Sequence, residues 1–145
     1  MIRPYTCNDK KELVEALTLN TPKYFDRKEI QDFEKYLAVY ESTYFTITSG
    51  NKIIGGVGCN YLEKRRVGEI TWIFFHPEFA GKGFGNKAVT HCLSILKSNS
   101  KIEKVTVRTS QLAYGFFEKF GFVTKMTAKD YWGLGLDLYE MELAI

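Results

Sequence analysis

Two rhythms of apolar residues alternate along the chain. Between residues 43 and 75, β-branched and aromatic residues gather in three runs, Thr43–Thr48, Lys52–Tyr61 and Val67–Phe75. The turn-forming group Ser49-Gly50-Asn51 and the charged group Glu63-Lys64-Arg65-Arg66 divide them. That pattern predicts three antiparallel strands. On either side the spacing changes to three and four. Leu13, Ala16 and Leu17 follow a capping Thr6 and stop at Thr21-Pro22. Ile30, Phe33, Leu37 and Tyr40 follow Asp26 and Glu29, a capping-box pair, and predict a second helix over about Asp26–Tyr40. Ala88, Val89, Cys92, Leu93 and Leu96 predict a third helix from Gly85 to Ser98-Asn99-Ser100. Ser110 can cap a fourth, with Ala113, Phe116, Phe117 and Phe120 on one side and Gly121 as its stop. Met1–Tyr5, Ile102–Val107, Phe122–Met126 and Leu134–Leu143 read as the remaining strands.

The resulting order is β-α-α-β-β-β-α-β-α-β-β, an antiparallel meander followed by a strand-helix-strand crossover in one mixed sheet. The class is α/β, or α+β by stricter naming. No repeat or linker interrupts the 145 residues, so residues 1–145 are expected to form a single domain.

Composition narrows the function classes. A formal net charge of +3 with dispersed lysines and arginines argues for no nucleic-acid partner, yet suits an anionic cofactor. No window reaches the 18 apolar residues of a membrane span and Met1–Thr6 has no signal-peptide character, which leads us to expect a cytoplasmic protein with no membrane partner. Cys7, Cys59 and Cys92 are odd in number and widely separated, so a disulfide framework is not expected. With His76 and His91 they make no clustered ligand set, and no metal is expected.

Candidate chemistry concentrates in Ile70–Val89, where a strand breaks at Pro77, crosses Gly81, Gly83 and Gly85 and enters helical spacing. A Walker loop fails, because Lys82 is followed by Gly83 and residue 76 is histidine. A dinucleotide fingerprint needs GxGxxG after a first parallel strand, and both spacing and position differ here. Two readings stay open: a pyrophosphate cradle of backbone N–H groups at a helix start, with Lys82 and Lys87 adding positive charge, and a plain glycine-rich connector.

The stretch His76–Ala88 resembles the cofactor motif of the GNAT superfamily of acyl-CoA N-acyltransferases, Q/R-x-x-G-x-G/A. A second block, Ala113–Phe122, is similar to the later family signature A-x-x-F-Y-E-K-x-G-F. The resemblance implies acetyl-CoA as co-substrate and an amine acceptor as partner. It assigns the pyrophosphate to the backbone of Ala80, Gly81, Lys82, Gly83, Phe84, Gly85 and Asn86. It sets Phe74 and Phe75 beside the thioester, on a strand splayed from its neighbour by a bulge, and Phe117 at the cofactor. Two residues depart from the pattern. Ala80 replaces the first Gln or Arg, and Phe117 replaces the tyrosine that often protonates the leaving thiolate. These departures keep a rival reading alive, a non-catalytic module that binds acyl-CoA or a protein.

An alkylammonium is deprotonated to about one part in a thousand at pH 7, a penalty of roughly 4 kcal/mol unless a base removes the proton. By family position Glu69 is the candidate base. Strand alternation puts it on one face with Thr71, Ile73 and Phe75, among apolar neighbours that would raise its pKa. The competing reading pairs Glu69 with Arg65 or Arg66 across the turn. Tyr114, one helical turn before Phe117, is the candidate acid, with Tyr131 as an alternative. The acceptor pocket is expected between the first two helices and the final hairpin, from Tyr24, Phe25, Tyr36, Tyr40, Trp72, Tyr131 and Trp132. Glu41, Glu63, Asp130 and Asp137 could attract a cation there. The last strand leaves a homodimer open.

Overall fold

In the computed structural model, which describes residues 1–145, the elements follow one another in the expected order. β1 (Ile2–Pro4) leads through a 3-10 turn at Cys7–Asp9 into α1 (Lys10–Thr18) and α2 (Glu29–Tyr40). β2 (Tyr44–Ser49), β3 (Lys52–Leu62) and β4 (Val67–Phe75) make the meander. α3 (Phe84–Lys97), β5 (Lys104–Thr109), α4 (Tyr114–Glu118), β6 (Val123–Gly133) and β7 (Leu136–Ala144) complete it. The strands form one sheet in the order β1-β2-β3-β4-β5-β7-β6. Every neighbouring pair is antiparallel except β4 and β5, which the crossover through α3 makes parallel.

The sheet divides two cores. On one face α3 and α4 cover Ile54, Ile70, Val105, Val107 and Met141. On the other, α1 and α2 bring Leu13, Leu17, Phe33 and Leu37 against Tyr44, Ile53 and Phe74. Phe33 packs edge-to-face on Tyr44 and Phe74 at 5.5 and 5.2 Å between ring centroids. α1 and α2 cover only the β2–β4 half of their face, where their contacts with the sheet lie. The β5–β7 half carries Lys104, Thr106, Arg108, Glu140 and Glu142 in the open.

Several boundaries move from their expected places for local reasons. The Thr6 amide donates to Asp9 Oδ2 at 3.0 Å and opens a 3-10 turn, and α1 begins only at Lys10. The Asp26 amide donates to Glu29 Oε2 at 2.8 Å, half of the expected capping box, and α2 starts at Glu29 instead of Asp26. α4 is short but ends as expected at Gly121. The Gly121 amide reaches Glu118 O and the Phe122 amide reaches Phe117 O, the two bonds of a Schellman motif. The largest correction is β6, which runs to Gly133 instead of ending at Met126. Register shifts at Thr124/Met126 and Ala128/Gly133 keep it paired. Asp130, at φ 53°, is held there by its amide's bond to Asp137 Oδ1 and by the Gly135 amide's bond to its own Oδ1.

Candidate active site

The site begins with a mismatch between β3 and β4. Gly56 pairs with Phe74 and Gly58 with Thr71, so Val57 alone faces both Trp72 and Ile73. This is a β-bulge, and Trp72 takes φ 47° to make it. The bulge turns β4 away from β5. Their ladder runs from Val67↔Lys104 to Ile70↔Val107 and stops, leaving Thr71–Phe75 with no partner on that side. β5 meanwhile continues against β7 to Thr109↔Tyr139. A wedge-shaped gap opens between the two parallel strands. Its β4 wall is tied down from behind, because Asn20 Nδ2 donates to Phe75 O at 2.9 Å and Tyr44 Oη donates to Trp72 O at 2.7 Å.

The glycine loop lies just beyond that wall. Gly81 and Gly83 have φ of 73° and 86°, values that an L-residue adopts only at a cost, and Gly83 is the N-cap of α3. The loop is exposed, and no amide from Gly81 to Asn86 donates to any group of the protein. The first turn of α3 contains no acidic residue. Lys82 and Lys52 set their ammonium groups 5.3 and 5.5 Å from the Phe79 ring centroid, and Lys87 lies 5.7 Å from that of Phe84. Six N–H groups without a protein partner, a helix amino end and the nearby Lys82 and Lys87 are the kind of donors that an anion can use, while Lys52 pairs with Glu78 at 3.8 Å.

Glu69 lies on the opposite side of the sheet from α3, and its face does not carry the Ile73 and Phe75 that simple alternation predicts. Because Trp72 is an inserted residue, parity reverses after Thr71. Ile70, Ile73 and Phe75 face the α3 core, whereas Trp72 and Phe74 face the α1–α2 core and Thr71 bonds to Tyr36 of α2. Glu69 therefore shares its face with Thr71, Trp72 and Phe74. Its surroundings also differ from the apolar setting expected. It lines a groove of about 730 Å³ with Leu62, Arg65, Val67, Lys104, Thr106, Arg108, Glu140 and Glu142. The pairing with Arg65 or Arg66 does not form: Arg66 goes to Glu103 at 3.4 Å, and Glu69 is in none of the ion pairs.

Beside Glu69 runs a half-buried polar chain that apolar spacing does not reveal. Tyr36 Oη and Thr71 Oγ1 are 2.8 Å apart, Asn60 Nδ2 donates to Tyr36 Oη at 2.9 Å, and Thr43 Oγ1 donates to Asn60 Oδ1. Asn60 stands opposite Glu69 in the ladder. Gly58 makes room for this chain, since a Cβ there would collide with Tyr36 Oη and Thr71 Oγ1. Burial raises the Tyr36 phenol pKa above its usual value, and the Glu69 charge pushes the same way.

The other residues singled out from sequence separate by face. Phe117 is a core residue, edge-to-face with Phe116 and Phe122. Tyr114 stacks on Tyr139 at 4.5 Å on the α4 side, across the sheet from Glu69. Tyr131 and Trp132 flank Arg108, with Tyr131 Oη accepting from Arg108 Nη2 at 2.7 Å. Phe25 stacks on Trp72, and Gly133 of the hairpin meets Asp26, so the α1–α2 segment and the final hairpin do come together. Arg108 itself was overlooked, although the clean alternation Lys104-Val105-Thr106-Val107-Arg108 already places it on the non-core face. No group of three or more His, Cys, Asp or Glu side chains comes together, and no helix is long and apolar enough to cross a membrane.

Solved structures share this fold. The ribosomal-protein-S18-alanine N-acetyltransferase of Escherichia coli superposes with a TM-score of 0.82 at 14% identity, over 100% of this chain and 93% of that one. An aminoglycoside 6'-N-acetyltransferase complexed with coenzyme A superposes with a TM-score of 0.76 at 12% identity, over 99% and 96%. At such identities the likeness is one of fold. In sequence, an uncharacterized N-acetyltransferase of Methanocaldococcus jannaschii is 28% identical over 96 residues, a match spanning 61% of this chain and 42% of that protein. The family model for the Acetyltransferase (GNAT) family matches residues 10–122, a stretch that contains the bulged strand, the glycine loop and the Phe117 block. The chain belongs to the GNAT family of acetyltransferases.

Proposed function

We propose that the protein is an N-acyltransferase that moves an acetyl group from acetyl-CoA to a primary amine by direct attack within a ternary complex. One observation carries the reading: the six unpartnered amides of Gly81–Asn86 stand at the amino end of α3, immediately after the unpaired stretch of β4. The pyrophosphate meets the loop amides and Lys82, and the pantetheine arm takes the β4 edge that β5 leaves vacant. Gln or Arg is replaced by Ala80, but the backbone donors that bear most of the contact are intact. Coenzyme A in the aminoglycoside acetyltransferase supports the same choice of ligand.

In this reading Glu69 receives the proton of the attacking amine from the groove side, while a β4 amide in the gap holds the developing oxyanion. Phe117 has no proton to give, so the thiolate leaves either unassisted or with a proton from Tyr114 on the α4 side. A coenzyme A thiol, with a pKa near that of cysteine, is a tolerable leaving group at neutral pH.

Gly83→Glu tests the cradle. A carboxylate among the loop amides opposes the pyrophosphate directly, and Gly83→Ala supplies the same backbone strain without charge. The expected result by calorimetric titration is acetyl-CoA affinity reduced at least tenfold more by Glu than by Ala, a difference of about 1.4 kcal/mol. Equal affinity in the two variants would remove the loop from the binding site. Release of free thiol in the presence of amines, absent without them, then separates turnover from a module that only binds.

A further inference from the structure

The groove that holds Glu69 has a charge pattern of its own. We infer that the acceptor is a small zwitterion, an amine that also bears a carboxylate, lying on the open sheet face with its amino group at Glu69 and its carboxylate on Arg108. This rests on the N-acyltransferase reading above. The charged lining comprises Arg65, Lys104 and Arg108 against Glu69, Glu140 and Glu142, formally neutral as a set. A polyamine would meet three cations in it, and a polyanion three carboxylates. A volume of about 730 Å³ suits a small molecule.

The charges are not equally available. Lys104 Nζ closes on Glu142 at 3.1 Å, which occupies both. Glu69 has no ion-pair partner and accepts no hydrogen bond from the protein. Arg108 is held but not consumed. Its Nη2 donates to Tyr131 Oη at 2.7 Å, its Nε lies a loose 3.9 Å from Glu140, and its Nη1 makes no hydrogen bond. The guanidinium carbon sits 5.0 and 5.6 Å from the Tyr131 and Trp132 ring centroids, and Trp132 is itself anchored through Nε1 to Thr109 O at 3.1 Å. An oriented guanidinium with spare N–H groups matches a planar carboxylate.

Register supplies the spacing. Glu69 pairs with Thr106, so Arg108 is its diagonal neighbour on the adjacent strand and the same face. Both side chains line the one groove, where a single amino acid or dipeptide can meet the two.

The test compares acceptors that differ only at the carboxylate: amino acids, their carboxamides and the corresponding decarboxylated amines, with a dipeptide and its amide to separate a free amino acid from a peptide end. In thiol-release assays with saturating acetyl-CoA, the best acid is expected to exceed its amide by tenfold or more in kcat/KM, chiefly through KM. Arg108→Met should bring that ratio to within about twofold of unity, and Arg108→Lys, which keeps the charge but loses the fork, should retain part of it. Amides that equal the acids, or a preference that survives Arg108→Met, overturn the inference and leave the N-acyltransferase reading standing. If no acceptor is turned over, titration of the same acid and amide pairs into the coenzyme A complex decides by binding alone. Failure to bind acetyl-CoA defeats the underlying reading instead, and the pairs are then compared on the free protein, where equal binding again overturns the zwitterion site.

Discussion

A single inserted residue, Trp72, decides what shares a face with Glu69. Without it, Phe75 would lie on the Glu69 side; with it, Trp72 and Phe74 do, and Phe75 turns to the α3 core. Glu69 itself opens into the charged groove away from α3, next to Tyr36 and Thr71. A base in that position takes a proton from an amine arriving through the groove and passes it to water without crossing the sheet. Glu69→Gln is therefore expected to lower kcat/KM by about 10² to 10⁴ at pH 7. The deficit should shrink as pH approaches the pKa of the acceptor, where the free amine needs no base. A pH–rate profile from 6 to 10 measures this, and a variant as fast as the wild type below pH 8 would strip Glu69 of the role. The polar chain makes an unusual demand on glycine at the same point: Tyr36 reaches Thr71 only because Gly58 leaves room for it.

Among the elements, those whose burial repeats with a fixed period were legible in the sequence. The meander, the three longer helices and the α4 stop at Gly121 all follow from apolar spacing and turn residues. The bulge was expected from the family resemblance and not from apolar spacing, because it is a property of pairing between β3 and β4, and its reversal of parity along β4 leaves no local signature. β6 was half-read for a different reason: as the outer strand of the sheet it exposes most of both faces, so Lys125, Thr127, Lys129 and Asp130 show no alternation. At the start of α2 only half of the expected capping box forms, and its carboxyl titrates. Burial raises the Glu29 carboxyl to about 7, against a weaker lowering by the Asp26 amide. A raised carboxyl means that the folded state binds the proton more tightly than the unfolded one, so stability falls as pH climbs from about 4.5 to about 7 and is level above that. Glu29→Gln removes the ionisation and keeps an acceptor for the Asp26 amide. Relative to the wild type, it should gain on the order of 3 kcal/mol between pH 4.5 and pH 7.5 in urea denaturation. A difference that stays constant across that range would mean that Glu29 ionises as freely folded as unfolded.

At the scale of the whole molecule, the sheet is a partition with one opening. The glycine loop leads into α3 on one face, the groove with Glu69 and Arg108 is on the other, and the β4–β5 ladder ends between them at Ile70↔Val107. In the proposed function the two substrates enter from opposite faces and do not exclude each other, so the amine would reach the thioester carbonyl without any group of the protein carrying the acetyl in between. The cysteines agree with that geometry: Cys59 and Cys92 are buried in the α3 core, and Cys7 is exposed on the 3-10 turn before α1. None of the three lies on the gap or lines the groove. Initial rates measured with both substrates varied should therefore give intersecting double-reciprocal lines, as expected for a ternary complex, whereas a covalent acetyl-enzyme gives parallel ones. Incubation with acetyl-CoA alone should leave the intact mass unchanged. Parallel lines together with a mass gain of one acetyl group would place a nucleophile in the path, and the two-sided arrangement of the site would then have to be abandoned as the route of transfer.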